Sequence, residues 1–214
     1  METLTKNDIM AIIRRLGEKM PEHKEQLREL DAQLGDGDLG VTIELGTEAM
    51  AAGVDELSDQ DTGMVLARSG MTFNQAGAST FGAIFATALM SAGKQIQDQD
   101  EFALADLAEM FDAAIEGVKE RGGAEQGEKT ILDVLIPMRD ALREALEDGL
   151  DLQEAIFSAH EACQTGLEAT KEMEGKYGRA GWLKDRSVGV QDPGSTAICL
   201  MWGYVCQYMK EAGS

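Results

Sequence analysis

Three aspartates, Asp31, Asp36 and Asp38, crowd into LDAQLGDGDLG (residues 30–40), interleaved with three glycines and with no Lys or Arg between them. Like charges at this spacing repel one another. A hard divalent cation removes that conflict, and glycines let a short loop fold several carboxylates around one centre. The EF-hand pattern does not fit. With Asp36 as loop position one, Val41 stands where Gly is needed and Thr47 where the bidentate Glu is needed. A loop with few protein ligands and no closing Glu suits Mg2+ shared with phosphate oxygens, and an aspartate-capped turn is the other reading of the same residues.

Three further segments carry anion-binding chemistry. GGAEQGEKT (122–130) approaches a phosphate-cradling P-loop, with Gly122 and Gly127 correctly spaced, but Glu128 intrudes before Lys129 and Thr130. It also follows a helical pattern rather than a strand, so a true P-loop is excluded. The segment keeps the weaker property of amide N–H groups and a helix dipole facing an anion, or serves as a plain helix cap. AGAST (76–80) leads into an apolar helix and offers the hydroxyls of Ser79 and Thr80, with close helix packing as its other reading. GRAGWLKDRS (178–187) gathers Arg179, Lys184 and Arg186 in an acidic chain, and Arg matches phosphate geometry bidentately. QDPGST (191–196) then turns at Pro193 and Gly194, with Ser195 expected to cap the last helix. His23 and His160 lie outside these segments, so acid–base chemistry through histidine is not supported. A carboxylate trio for Mg2+, several anion loops and an Arg describe a phosphoryl-transfer site.

The elements that must position these loops are helical. In NDIMAIIRRLGEKM, Ile9, Ile12, Ile13 and Leu16 recur at i, i+3, i+4, i+7, with Asn7 as the expected cap. PEHKEQLREL restarts a helix at Pro21, VTIELGTEAMAAG closes at Gly53, and DQDTGMVLARSG ends near Gly70. FGAIFATALMSAG and four later segments continue the pattern to eight or nine helices, with no convincing period-two alternation. The fold class is all-α, and 214 residues with 3 Pro suit a single domain spanning 1–214.

Composition narrows the partners. The chain has 39 acidic and 19 basic residues, a formal charge of -20, which repels nucleic-acid backbones and anionic membranes. The N-terminus has no apolar signal region and no window reaches about 18 uninterrupted apolar residues, so a cytoplasmic protein is expected. Cys163, Cys199 and Cys206 lack metal-ligand spacing and are expected to be reduced core thiols.

The order of the motifs resembles, over essentially the whole chain, the nucleotide-binding L subunit of dihydroxyacetone kinases. The matching segments are LDAQLGDGDLG, the Gly/Ser/Thr-rich segment before an apolar helix, GGAEQGEKT, and GRAGWLKDRSVGVQDPGST. The resemblance implies an antiparallel eight-helix barrel with ADP or ATP bound at one end. Asp31, Asp36 and Asp38 would hold two Mg2+ ions that also bind the nucleotide phosphates. Leu39, Gly40, Val41 and Thr42 would touch the nucleotide, and Ser79, Thr80 and Phe81 would lie along the phosphates. Gly122, Thr130 and Ile131 would stand near the adenosine, while Arg179, the catalytic candidate, would complete the pocket with Asp192, Pro193 and Gly194. Three positions depart from the family pattern: Phe81 replaces a Ser of a GGxSG segment, Leu39 stands where many members carry His, and Gly181 replaces the Ser of GRAS.

In the family the sugar is held on a separate K subunit or domain, bound covalently to a histidine there, and this chain is expected to have neither that domain nor such a histidine. The resemblance therefore implies half of a kinase acting on a short ketose or related hydroxy-carbonyl. Its nucleotide exchanges with free ATP or is recharged in place by a phosphotransferase-system protein. A non-catalytic nucleotide-sensing module that binds a transcription factor is the alternative from another class.

Overall fold

Apolar residues spaced at three and four positions become helices that wrap one interior. A computed structural model describes residues 2–177 and 187–213, and nine α-helices lie among them. They are α1 (Lys6–Lys19), α2 (Lys24–Asp31), α3 (Leu39–Gly53), α4 (Thr62–Ala76), α5 (Thr80–Gln95), α6 (Leu104–Gly122), α7 (Leu132–Glu147), α8 (Leu152–Ala169) and α9 (Pro193–Ala212). α2 is short, at 8 residues. The other eight run from 14 to 20 residues. Each long helix packs against the next along the chain, and α9 packs against both α8 and α1, which closes the ring. The result is an antiparallel eight-helix barrel. Its interior is built from Leu, Ile, Met and Ala, with Ile43, Met138, Leu142 and Ile156 fully buried. An apolar cavity of about 200 Å³, lined by Ile13, Phe85, Phe111 and Met201 among others, lies inside it. Among the described residues no helix is long and apolar enough to cross a membrane.

A two-stranded antiparallel sheet, β1 (Thr3–Thr5) with β2 (Glu101–Ala103), escapes period-two analysis because each strand has only three residues. It ties the start of α1 to the start of α6, and the Thr62 N–H donates to the Gln99 carbonyl at 2.9 Å, bringing the start of α4 to the same end.

Local expectations shift at five points. Thr5, not Asn7, caps α1, because Thr5 and Asp8 form a reciprocal capping box. Pro21 opens a 3-10 turn, Met20–His23, and α2 begins only at Lys24. α4 does not end near Gly70 but runs to Ala76. A Cβ at Gly70 would stand 3.1 Å from the Ala86 carbonyl oxygen, so this glycine permits close approach of α5 rather than a stop. Asp192, not Ser195, caps α9, with Pro193 in its first turn. Finally, Cys163 and Cys199 are not reduced thiols. α8 and α9 lie side by side with these Cα atoms 5.9 Å apart, and the two sulfurs form a disulfide, while Cys206 is a buried free thiol.

Candidate metal and anion site

Antiparallel order around the ring places the N-termini of α3, α5, α7 and α9 at one end, and those of α1, α4, α6 and α8 at the other. Contacts between chain-distant residues draw the first group together. Gly77, just before α5, lies against the Thr42 carbonyl in the first turn of α3. Gly194 in the first turn of α9 lies against the side chains of Ile131 and Phe81, which stand at the starts of α7 and α5. The Ser195 hydroxyl donates to the Thr130 carbonyl at 3.0 Å. The first amide N–H groups of an α-helix have no intrahelical acceptor, and the helix dipole leaves partial positive charge there. Of the four, the starts of α3 and α5 have no acidic residue in their first turn and favour an anion.

The aspartate loop joins α2 to α3 on this side. Asp31 closes α2, and its carbonyl accepts from the N–H of Leu34 at 2.9 Å and of Gly35 at 2.6 Å, folding the chain back. A Cβ at Gly35 would stand 2.7 Å from Asp31 Oδ1, so only glycine lets the turn sit this close to the carboxylate. Asp31 Oδ2 accepts from the Leu39 N–H at 3.2 Å, which anchors the loop to the first turn of α3. Asp38 occupies the N-cap position of α3 without making a side-chain cap. Carboxylate oxygens of Asp31, Asp36 and Asp38 all lie within 4.8 Å of one another, with Asp36 and Asp38 exposed and Asp31 half-buried. Three hard oxygen donors at this spacing, without sulfur or imidazole, suit Mg2+ in the manner of a phosphate-sharing site.

The remaining residues of the expected site line the same end. Leu39, Gly40 and Thr42 are buried and Val41 is exposed. Ser79 Oγ caps α5 by accepting from the Gly82 N–H at 3.0 Å, and Thr80 is exposed beside it. The Phe81 ring stacks on Phe85, with centroids 5.8 Å apart, and meets Phe73 at 6.2 Å, so its side chain serves the packing and its main chain faces the end. Gly122 closes α6 near the Ile84 side chain. Thr130 and Ile131 lead into α7, and Asp192, Pro193 and Gly194 open α9. Arg179, Gly181, Lys184 and Arg186 lie outside the described residues.

Two charged residues that sequence reasoning passed over organise the α7–α9 side. Asp133 is buried, and its carboxylate accepts from the N–H of Gly127 and of Thr130 at 2.7 Å, which shapes the turn before α7. The Thr-x-x-Asp spacing of Thr130 and Asp133 carries a helix-start signal that could have found it. Lys129 is the second. Its backbone has φ +60, a left-handed conformation uncommon for a residue with a side chain, and its ammonium is buried among main-chain carbonyls. Burial pushes the Lys129 pKa down, opposed by the charges of Asp192 and Asp133. Burial likewise raises Asp192 to about 6, while the Ser195 N–H and Lys129 pull it back. Among the described residues, His23 pairs with Tyr204 at 2.8 Å and the His160 ring lies beside Gly203, both away from these segments.

Comparison with known proteins shows the family and the fold. A family model described as the DAK2 domain matches residues 33–207. The PEP-dependent dihydroxyacetone kinase, ADP-binding subunit DhaL, of Escherichia coli K12 is 31% identical over 98% of this chain and 100% of that subunit. The corresponding subunit of kinase 1 from Listeria innocua is 30% identical over 89% and 90%. L-erythrulose 1-kinase of Mycolicibacterium smegmatis is 30% identical over 91% of this chain but only 34% of that enzyme. The same fold occurs in the crystal structure of the dihydroxyacetone kinase of C. freundii, with TM-score 0.70 and 20% identity, over 93% of this chain and 34% of that one. That kinase has also been solved in complex with AMP-PNP and Mg2+.

Proposed function

We infer the function from the premise that the chain belongs to the DAK2 domain family. It is the nucleotide-binding subunit of a dihydroxyacetone-type kinase. It binds ADP or ATP at the end of the barrel formed by the starts of α3, α5, α7 and α9, and passes the γ-phosphoryl group to a short ketose or related hydroxy-carbonyl on a separate K-type subunit. The observation that carries this reading is the meeting of the Asp31, Asp36 and Asp38 carboxylates with the first turn of α3. A cation site beside open helix N-termini matches the charge pattern of a metal-bound polyphosphate.

Asp31, Asp36 and Asp38 would hold two Mg2+ ions, which would neutralise phosphate charge and lower the repulsion met by an incoming nucleophile. Ser79, Thr80 and the main chain of Phe81 orient the phosphates, as do Leu39 to Thr42 across from them. Gly122, Thr130 and Ile131 bound the adenosine side, and Asp192, Pro193 and Gly194 close the pocket. In the transfer, the ketose hydroxyl oxygen bonds to the γ-phosphorus as the bond to the β–γ bridging oxygen breaks and ADP remains. The hydroxyl proton passes to a base on the partner that holds the ketose. The role the resemblance implies for Arg179 is to offset the negative charge that spreads over the equatorial oxygens in the transition state. The PEP-dependent relatives favour recharging of bound ADP by a phosphotransferase-system protein over exchange with free ATP.

Calorimetry of the purified chain with Mg-ADP tests the binding half, and the absence of saturable binding sinks the reading. Mixing with K-type subunits and dihydroxyacetone, supplied with either ATP or phosphotransferase proteins, tests transfer and identifies the donor. Binding without transfer to any K-type partner would turn the assignment to a nucleotide sensor. Arg179→Lys keeps charge but loses the planar fork, so turnover falls on the order of 100-fold while ADP affinity changes far less.

A further inference from the structure

Lys129, left over from the resemblance to a P-loop, is 2% exposed, and an ammonium so placed must find acceptors or give up its charge. Its Nζ donates to the main-chain carbonyls of Thr170 at 2.7 Å, Ser187 at 2.6 Å, Val190 at 2.6 Å and Met173 at 3.2 Å. Two of these carbonyls precede residues 178–186 and two follow them. Such a ring of carbonyls around one positive centre is what a monovalent cation receives from a protein main chain. The web continues outward: Thr170 Oγ1 accepts from the Asp192 N–H at 2.9 Å, and Ser187 Oγ accepts from the Gly175 N–H at 2.9 Å. On the other side, Asp133 grips the N–H groups of Gly127 and Thr130 that flank the left-handed Lys129. A strained backbone conformation is retained where surrounding contacts over-determine it, which here includes four carbonyls sharing the three N–H groups of one ammonium.

We propose that Lys129 is a positioning residue, a built-in ammonium that clamps the segments flanking residues 178–186 to the entry of α7 and so holds the Asp192–Gly194 wall of the nucleotide site. This rests on the nucleotide reading above. The Lys129 ammonium is spent on main-chain carbonyls. It acts through the carbonyls it gathers, and a P-loop lysine reaching for phosphate is thereby replaced by one facing inward.

Truncation and chemical rescue test the clamp. Lys129→Ala should weaken Mg-ADP binding about tenfold or more, and propylammonium, which replaces the missing atoms and charge, should restore most of it. Lys129→Met should show the same loss with no rescue. Wild-type-like Mg-ADP affinity in Lys129→Ala, or an amine that restores the melting temperature but not the affinity, would overturn the proposal. Failure of the wild-type chain itself to bind Mg-ADP would instead strike the nucleotide reading. Should neither variant fold, the wild-type Nζ protons can be followed by 15N-detected NMR. Mg-ADP should slow their exchange several-fold as the wall closes, and an unchanged rate would sink the clamp.

Discussion

The two ends of the barrel are built from the same kind of helix terminus and treat it in opposite ways. Where α1, α4, α6 and α8 begin, each terminus is answered by the chain's own carboxylates. Asp8 pairs with Thr5, Asp61 accepts from the Met64 N–H, Asp106 from the Ala103 N–H, and Asp151 and Glu154 cap reciprocally. Where α3 and α5 begin, neither helix has an acidic residue in its first turn, in a chain with 39 of them. Asp38 stands at the N-cap of α3 without capping it and joins Asp31 and Asp36 instead. Across the same end α7 and α9 do have carboxylates, both buried: Asp133 accepts from the Thr130 N–H before α7, and Asp192 caps α9 by accepting from the Ser195 N–H, so the contrast rests on α3 and α5. The difference teaches that this end separates its charges. Carboxylates are collected for a cation, dipoles are left open for an anion, and the far end neutralises itself.

The comparison is broken most strongly at the aspartates. Asp38→Asn should lower Mg-ADP affinity by about 100-fold or more, because it removes a hard ligand, while the melting temperature of the ligand-free protein holds or rises as like-charge repulsion is relieved. Calorimetry and thermal unfolding read the two effects separately, and unchanged binding would leave the trio without a metal role. Making the near end resemble the far one is the next step. Thr80→Glu puts a carboxylate in the exposed first turn of α5, which should stabilise the free protein by a few tenths to about 1 kcal/mol and weaken Mg-ADP about tenfold. Tighter nucleotide binding in this variant would show that phosphates do not approach α5.

At the far end, Asp61→Ala removes the cap of α4 and should cost about 1 kcal/mol of stability with Mg-ADP affinity unchanged within about twofold. Denaturant unfolding beside the binding isotherm checks both, and a large affinity loss would mean that the ends are coupled. The smallest effect is in pH. Burial raises the folded-state pKa of Asp192 to about 6 from 3.8, so its contribution to stability is complete below pH 3.8 and is lost as pH rises through 6. Wild type should therefore gain stability relative to Asp192→Asn, on the order of 1 kcal/mol, as pH falls from 7 towards 4.5. Parallel unfolding curves across that window would show that the Ser195 N–H and Lys129 offset the burial completely.

Much of the site can be read along the chain because its signals are local. The aspartate loop and the turn before α9 each depend on residues within a few positions of one another, and turn chemistry operates at that range, although the cap of α9 fell to Asp192 and not Ser195. Gly70 misleads for the same reason: as a local signal it reads as a stop, and only the approach of α5 explains why α4 continues to Ala76. Phe81 resembles a departure at a phosphate position until its ring is seen packed on Phe85 and Phe73.

By itself, then, the sequence determined the helices, through apolar spacing at the helical period, and the chemistry of the loops, through residue types that tolerate tight turns and charge. Tertiary structure decided which loops meet. It set the closure of α9 on α1, the Cys163–Cys199 disulfide across 36 positions, and the burial of Lys129 among carbonyls 41 to 61 residues away. Helix propensity and capping act over about one turn, whereas these contacts arise from burying the faces of eight helices around one interior, a choice made by the whole chain at once.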